Sequence, residues 1–134
     1  MSLERIWPTQ KNLYSYLEDF PEHKIRYDLI NDYIRGKNCA DISCGAGYGS
    51  YLEGKIAKTV KGFDVSEEAI DYANNNFSTS NVSFHLLKEL QDEKFEFISS
   101  IETLEHMTES EGDEFLIKLR NAMIPSATLI ISTP

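Results

Sequence analysis

The sequence lacks the features that would place it in a membrane or outside the cell. No apolar run approaches the roughly 20 residues needed to cross a bilayer, and the opening MSLERIWPTQ contains no signal-peptide core. Only two cysteines occur, Cys39 and Cys44, and a disulfide between them would cramp the short turn that they enclose. We therefore expect two reduced thiols, at least one of them buried, and a cytoplasmic location.

Positive charge is scarce as well. The chain has 13 Lys and Arg against 22 Asp and Glu, which gives a formal net charge of −9. Nonspecific binding to nucleic acid depends on Lys and Arg that neutralise phosphates, and anionic membranes attract the same residues. We expect neither nucleic acid nor a membrane as a partner.

The chain contains no internal repeat and no Pro/Gly/Ser-rich linker, so residues 1–134 are interpreted as one domain. Hydrophobic residues make up 41% of it, which is typical of a globular protein. Residues 1–22 mix aromatic with polar side chains and are predicted to form a helix or lid on the body of the domain. A longer helix is expected over PEHKIRYDLINDYIRGK, with Pro21 in its first turn and Gly36 at its end.

Beyond this helix, short apolar strands alternate with helices. The predicted strands are KNCADIS, KTVKGFD, NVSFHLL, FEFISSI and ATLIIST. The predicted helices begin in GYGSYLEGKI, in SEEAIDYANNNF with Ser66 as N-cap, and in SEGDEFLIKLRNAM. The side chains of the last helix expected to face inward are Phe115, Leu116, Leu119 and Met123. This alternation predicts an α/β fold of right-handed βαβ units, with helices on both faces of a parallel sheet.

Three glycines follow the first predicted strand in the run CADISCGAGYGS. A Walker-type phosphate loop requires a lysine after the last glycine, and none is present. A dinucleotide fingerprint requires GxGxxG, whereas Gly45, Gly47 and Gly49 form GxGxG. Glycine allows a turn to approach a ligand closely or to take positive φ. The spacing therefore favours a third kind of nucleotide site over a pyrophosphate cradle, with a plain strand-to-helix turn as the alternative.

Aspartates stand at the ends of the first two predicted strands. Asp41 precedes the glycines, and Asp64 ends the second strand. A carboxylate in the second position can accept hydrogen bonds from both hydroxyls of a ribose, or it can cap the helix that follows.

The run DISCGAGYG, Asp64 and the segments FEFISSIETLEHM and FLIKLRNAMIPSATLIISTP together resemble the class I S-adenosylmethionine-dependent methyltransferases, in the group that acts on small molecules. The resemblance covers roughly residues 24–134. It implies a Rossmann-like, doubly wound parallel sheet with strand order 3-2-1-4-5. It also implies S-adenosylmethionine (S-adenosylhomocysteine after transfer) as cofactor, and O- or N-methylation of a small-molecule acceptor such as a sugar or natural product.

The resemblance further implies which residues contact the cofactor. Asp41, Gly45 and Gly47 would hold its amino-acid end, and Asp64 would bind the ribose. The other implied contacts are Cys44, Tyr48 near the sulfonium, Val65 against the adenine, Leu87 and Ile101. For Tyr48, a partly exposed loop aromatic without this role is an equal alternative.

The acceptor chemistry is expected in IETLEHM, after the fourth strand. His106 is the candidate general base, because imidazole exchanges protons near neutral pH. Glu102, Glu105 and His106 also resemble the ExxEH metal motif of some O-methyltransferases, and two carboxylates with an imidazole could hold Mg²⁺. The third interpretation is a helix cap, and we assign no metal.

Within the resemblance, three positions depart from the family pattern. Ser43 stands where members usually have glycine. Leu87 or Lys88 falls where the family often has an acid for the adenine, with Glu89 as a substitute. The usual Pro-Gly-Gly turn reads Pro125-Ser126-Ala127, which predicts a remodelled turn.

The largest departure is at the end of the sequence, which has no counterpart of the family's strands 6 and 7. The fifth strand is then expected to be an exposed apolar edge, TLIIS, which invites pairing with a second chain as a homodimer. Alternatives to a working methyltransferase are a cofactor-binding fragment without turnover and an interaction module on the same fold.

Overall fold

The structure is a computed structural model that describes residues 7–134. Its helices are α1 (Leu13–Asp19), α2 (Pro21–Asp28), α3 (Asn31–Ile34), α4 (Tyr48–Glu53), α5 (Glu67–Phe77) and α6 (Glu109–Asn121). Its strands are β1 (Asn38–Ile42), β2 (Thr59–Asp64), β3 (Val82–Leu86), β4 (Phe95–Ile101) and β5 (Met123–Ser132). Short 3-10 turns cover Leu87–Leu90 and Leu104–His106.

The strands form a parallel sheet in the order β3-β2-β1-β4-β5, which confirms the predicted fold class. In this sheet Asp41 of β1 pairs with Gly62 of β2 on one side and with Ser99 of β4 on the other. The carboxyl ends of these three strands therefore meet at one edge. In open α/β sheets, ligands bind outside that edge, where the strand order reverses.

Helices cover both faces of the sheet. Successive strand residues point to opposite faces, so each strand contributes apolar side chains to both helix layers. Cys39 packs with α1, α3 and α5 side chains on one face. The next residue, Ala40, packs on the other face against Phe115 and Leu119 of α6. Both predicted reduced thiols, Cys39 and Cys44, are buried and free.

The helices α5 and α6 start at side-chain caps. Ser66 Oγ accepts a hydrogen bond of 3.2 Å from Ala69 N, which confirms Ser66 as the N-cap of α5. At α6, Thr108 and Glu111 form a capping box. Neither Glu105 nor His106 takes part in this cap, so it differs from the cap that the sequence suggested.

The region before β1 differs from the single long helix that was predicted. The helix breaks after Asp28, and α3 begins at Asn31. Ile30 and Ile34 enter the core, whereas Leu29 stays 72% exposed. Residues 1–6 of the expected helix or lid lie outside the described part, and α1 lies within the remainder. None of the described helices is both long and apolar enough to span a bilayer.

The region of Pro125 also differs from the family-like turn. β5 already begins at Met123, so Pro125 lies within the strand. Phe95 of β4 pairs with Met123 and Phe97 pairs with Thr128, and the additional β5 residues between these pairs form an irregularity of the ladder. The sequence had predicted a remodelled turn here. In α6, by contrast, the expected inward position of Leu116 is wrong, since this side chain is 36% exposed. β5 lies at the sheet edge among the described residues, and its pairing with a second chain stays a prediction.

Candidate functional site

The turn that joins β1 to α4 takes left-handed backbone conformations at Ser43 (φ 65°), Gly45 (φ 54°) and Gly47 (φ 97°). Ser43 N and Cys44 N both donate to Phe63 O of β2, at 2.7 and 3.0 Å, which fastens the turn to the neighbouring strand. A side chain in the left-handed region costs about 1–2 kcal/mol. Ser43 carries that strain, which explains why glycine suits its position.

Gly45 and Gly47 serve different purposes. A Cβ on Gly47 would lie 2.7 Å from Ala73 Cβ and 2.8 Å from Phe84 Cζ, so Gly47 allows the turn to pack against α5 and β3. A Cβ on Gly45 would meet nothing within 4 Å. The backbone at Gly45 therefore borders open space, into which a ligand can approach.

Asp64, at the end of β2, is oriented by backbone amides. Its Oδ2 accepts from Gly45 N and its Oδ1 from Ser66 N, both at 2.9 Å. The carboxylate joins the glycine turn to the start of α5. Because an ionised carboxylate has about four acceptor positions, both oxygens retain a lone pair for the hydroxyls of a ligand.

Beneath the turn lies a buried pair of carboxyl groups, Asp41 and Glu53, each 1% exposed. Ser50 Oγ donates to Asp41 Oδ2 at 2.7 Å, and Ser99 Oγ lies 3.4 Å from Asp41 Oδ1 and 3.5 Å from Glu53 Oε1. Glu53 Oε2 has no hydrogen-bond partner among the described residues.

Burial governs the protonation of this pair. It raises the pKa of Asp41 to about 6, against the opposing hydrogen bonds from Ser50, Glu53 and Ser99. Burial, and then the charge of Asp41, raise the pKa of Glu53 well above its ordinary value. Both shifts favour the protonated forms, so the buried pair holds a proton at a higher pH than exposed carboxyl groups do.

This pair predicts a pH dependence of stability. Both pKa values are raised in the folded state, so their contribution is complete below about pH 4 and is lost as the pH rises through about 6 and beyond. Each proton held only in the folded state makes the free energy of unfolding fall by up to about 1.4 kcal/mol per pH unit. Glu53→Gln keeps the shape of the side chain and removes one titration, so it should flatten this slope.

Urea unfolding between about pH 5 and 8 measures the slope. Glu114→Gln, on the exposed surface of α6, is the matched control and should keep the wild-type slope. Equal slopes for Glu53→Gln and the wild type would show that the buried pair does not hold the proton.

A cavity of about 440 Å³ opens beside Gly45. From the turn and the end of β4 it is lined by Ser43, Cys44, Gly45, Ala46, Tyr48, Ile101 and Glu102. The N-terminal segment and helices supply the other lining residues, which are Trp7, Tyr16, His23, Arg26 and Tyr27. The structure therefore brings Cys44, Gly45, Tyr48 and Ile101, all predicted, to one cavity. Burial raises the pKa of the Cys44 thiol, which keeps it protonated.

The N-terminal contribution to this cavity was missed from the sequence, apart from the suggestion of a lid. Tyr72 Oη of α5 donates to Pro8 O at 2.7 Å, which holds the N-terminal segment against α5, and Trp7 of this segment lines the cavity. The Tyr27 ring occupies the space beside Gly49, where a Cβ would lie 2.1 Å from its Cζ. In the sequence, the glycine at position 49 indicated that another group packs closely against α4. It did not identify Tyr27 as that group.

Glu102 lies at the end of β4 with φ 51°, and its carboxylate pairs with Arg26 Nη2 of α2 at 2.6 Å. Its backbone N donates to Ser132 O at 2.9 Å. This ion pair connects the N-terminal helices to the edge of the sheet on the rim of the cavity. The Glu102 side chain, which was predicted to act with Glu105 and His106, therefore pairs with Arg26 instead.

Glu105 and His106 lie in the 3-10 turn after β4, outside the residues that line the cavity. The His106 side chain is 78% exposed, and its Nε2 lies 3.9 Å from Glu105 Oε2. No group of three metal-ligating side chains comes together anywhere in residues 7–134. The structure thus separates Glu102 from the other two members of the ExxEH motif.

Val65 and Leu87 line a separate depression of about 280 Å³, together with Glu67, Leu86 and Lys88. Val65 is 77% exposed beside Asp64, where an apolar ring could cover it. Glu89, considered as a substitute acid, lies 3.4 Å from His85 Nδ1. Asp64 adjoins residues of both depressions, since its Oδ2 accepts from Gly45 N of the first and Val65 of the second follows it in the chain.

Comparison with known families gives a match over residues 40–131 to the family described as a methyltransferase domain. Among curated proteins, the chain is 31% identical over 109 residues to a ubiquinone biosynthesis O-methyltransferase of Coxiella burnetii, covering 75% of this chain and 44% of that protein. A probable S-adenosylmethionine-dependent methyltransferase of Mycolicibacterium smegmatis is 22% identical over 117 residues, which are 86% of this chain and 45% of that protein. The chain thus spans less than half the length of these relatives.

Solved structures with the same fold include a DhpI–SAH complex (TM-score 0.71, 21% identity, 87% of this chain and 57% of that one). The N-methyltransferase NodS of Bradyrhizobium japonicum, in complex with S-adenosyl-L-homocysteine, gives a TM-score of 0.72 at 21% identity. That match covers 83% of this chain and 59% of that one. These likenesses show the fold of the chain.

Proposed function

Because the chain belongs to the class I S-adenosylmethionine-dependent methyltransferases, we propose that it binds S-adenosylmethionine at the carboxyl edge of its sheet and methylates an oxygen or nitrogen of a small molecule. One observation carries the proposal. The open space over Gly45 adjoins a carboxylate, Asp64, that is held by Gly45 N and Ser66 N and has acceptor capacity to spare.

The residues along this edge of the sheet fit a nucleoside with a zwitterionic tail. Asp64 would accept from the ribose hydroxyls, and Val65 beside it would cover the adenine. At the other end, the Gly45 backbone would approach the amino-acid tail. The Asp41 carboxyl lies buried in β1 just before this turn, where its ionised form would favour the ammonium. Gly45, Gly47 and Gly49 form GxGxG instead of the GxGxxG of a dinucleotide site, which supports this cofactor over a dinucleotide.

The bound cofactor supplies a methyl group on a sulfonium, whose leaving group is already activated. The residues of the chain then need chiefly to orient the acceptor and to exclude water. Tyr48 lines the cavity beside the glycine turn, where its ring could stabilise a cationic centre by about 0.5–2 kcal/mol.

A small-molecule acceptor agrees with the size of the cavity, about 440 Å³, which it would share with the amino-acid end of the cofactor. It also agrees with the relatives, among them a ubiquinone biosynthesis O-methyltransferase and an N-methyltransferase. The net charge of −9 disfavours nucleic acid as the substrate.

Calorimetry with S-adenosylhomocysteine tests the cofactor half of this proposal. We expect binding in the micromolar range, which corresponds to about −8 kcal/mol. Labelled methyl transfer from S-adenosylmethionine to a panel of small hydroxyl and amine acceptors tests the reaction. Absence of S-adenosylhomocysteine binding by the folded wild type would refute the proposal, whereas binding without transfer to any acceptor would favour the cofactor-binding module.

A further inference from the structure

Two side chains that line the cavity form a close polar pair. Tyr48 Oη, from the first turn of α4, lies 2.7 Å from His23 Nδ1 of α2. Both residues belong to the same cavity wall as Gly45. The pair joins the body of the domain to the N-terminal helices beside the proposed methyl donor.

Aromatic rings enclose this pair. The Tyr16 ring is centred 5.5 Å from that of Tyr48 and 6.0 Å from that of His23, and the Phe20 ring lies 6.1 Å from His23. The His23 side chain is 29% exposed. Partial burial against these rings favours the neutral form of the imidazole.

The charges around His23 act in both directions. Burial, followed by the nearby Arg26, lowers the pKa of His23, while Glu22 (Oε1 at 3.9 Å from Nε2) and Glu102 oppose the shift. Burial, followed by Tyr16, raises the pKa of Tyr48. Near neutral pH both members of the pair are therefore uncharged, and the phenol is the natural donor to an imidazole lone pair.

We propose that His23 is the proton acceptor of the methyl transfer, that Tyr48 relays the proton to it, and that the methyl acceptor is accordingly a neutral alcohol or phenol. This inference rests on the proposed function and deepens it. A hydroxyl group must lose its proton as its oxygen is methylated, and a base within hydrogen-bond reach typically accelerates such a step about 10²–10⁴-fold.

The proton and charge balance is complete without another reactant. The acceptor O–H bond breaks, and its electron pair remains on the oxygen that takes the methyl group. The released proton binds Tyr48 Oη, while the original Tyr48 proton moves to His23 Nδ1. The positive charge that the sulfonium loses is then carried by the imidazolium of His23, with Glu22 and Glu102 nearby.

His106, the base that the sequence favoured, does not share this geometry. Its side chain is 78% exposed and is not part of the cavity lining. His23 and His106 thus give opposite expectations for the same kind of substitution, which makes them separable by experiment.

The first test needs no acceptor. Nitrogen NMR of labelled histidine side chains, assigned with His23→Gln, reports which ring nitrogen carries the proton. We expect Nδ1 of His23 to be the unprotonated nitrogen near neutral pH, and Tyr48→Phe to shift its signal and its titration. A protonated Nδ1, or a His23 signal unchanged by Tyr48→Phe, would overturn the relay.

The second test compares methyl transfer to catechol and to 4-nitrocatechol, whose hydroxyl is already largely ionised at about pH 8. His23→Gln should lower transfer to catechol about 100-fold or more, but transfer to 4-nitrocatechol less than about tenfold. Equal losses on both probes, or a selective loss in His106→Gln instead, would overturn the proposal. His85→Gln is the matched control on β3 and should leave both rates unchanged.

Calorimetry on the same samples keeps the two proposals apart. S-adenosylhomocysteine should bind His23→Gln within about threefold of the wild type, because the hydrogen bond between His23 and Tyr48 is separate from the one between Gly45 N and Asp64. A wild type that fails to bind S-adenosylhomocysteine would refute the proposed function itself, whereas the NMR result bears on the His23–Tyr48 relay alone.

Discussion

Replacing Gly47 with alanine is expected to destabilise the domain by about 2–5 kcal/mol. The backbone at Gly47 has φ 97°, and a side chain in left-handed conformations costs about 1–2 kcal/mol. The added Cβ would also overlap Ala73 Cβ at 2.7 Å and the Phe84 ring at 2.8 Å, and overpacking of this kind costs about 1–3 kcal/mol. Domains have about 5–15 kcal/mol of stability in total, so the loss is large.

Thermal and urea unfolding measure this loss, which should lower Tm by roughly 8–20 °C. Gly45→Ala is the matched control, since it also has positive φ but borders open space. It should cost only about 1–2 kcal/mol of stability. Equal destabilisation by the two variants would show that Gly47 is not the packing glycine.

The same pair of variants separates packing from binding. The methyl group of Gly45→Ala would occupy the space that a ligand needs, and a poor fit of about 1–3 kcal/mol corresponds to a roughly 5–150-fold weaker Kd for S-adenosylhomocysteine. A Gly45→Ala protein that is folded and binds as tightly as the wild type would contradict the proposal that the cofactor lies against the Gly45 backbone.

Asp64→Asn is expected to weaken S-adenosylhomocysteine binding by on the order of 100-fold or more. The substitution removes the charge from the group that would accept from the ribose hydroxyls, and each hydrogen bond to a charged group contributes about 1.5–3 kcal/mol. It also places an amide NH₂ against Gly45 N or Ser66 N, which are both donors to the native carboxylate. We therefore expect a further loss of about 1–3 kcal/mol in stability.

Calorimetry under conditions where the variant is folded measures the loss of affinity. Asp113→Asn makes the same chemical change on the exposed face of α6 and should bind S-adenosylhomocysteine like the wild type. If Asp64→Asn binds within about threefold of the wild type, then Asp64 only fastens the turn and does not hold the ribose.

Local sequence signals correctly predicted the elements whose formation depends on neighbours in the chain. The helix α5 is an example, because Ser66 caps it and Ile70, Ala73 and Phe77 recur with its period and are buried. The strands β1 and β2 are others, since short apolar runs end at Asp41 and Asp64. Their alternation with helices predicted the parallel sheet, and the resemblance supplied its order.

The sequence was less informative where the outcome depended on contacts between distant segments. The apolar residues before β1 fit a single helix, but packing against the core divides it, with Ile30 and Ile34 buried and Leu29 exposed. Glu102, Glu105 and His106 are neighbours in the chain, yet Glu102 turns toward Arg26, 76 positions away. No local pattern contains such an interaction.

The sequence by itself determined the class of fold, the glycine turn and the two aspartates at the strand ends, because these depend on local conformation and on the period of apolar residues. Only the tertiary structure decided that Gly47 serves packing while Gly45 borders the cavity. The burial of Glu53 beside Asp41 and the contact between His23 and Tyr48 also became visible only in the tertiary structure. The physical reason is that burial, pKa values and cavity walls arise from segments that meet only after the sheet and its helices have packed together.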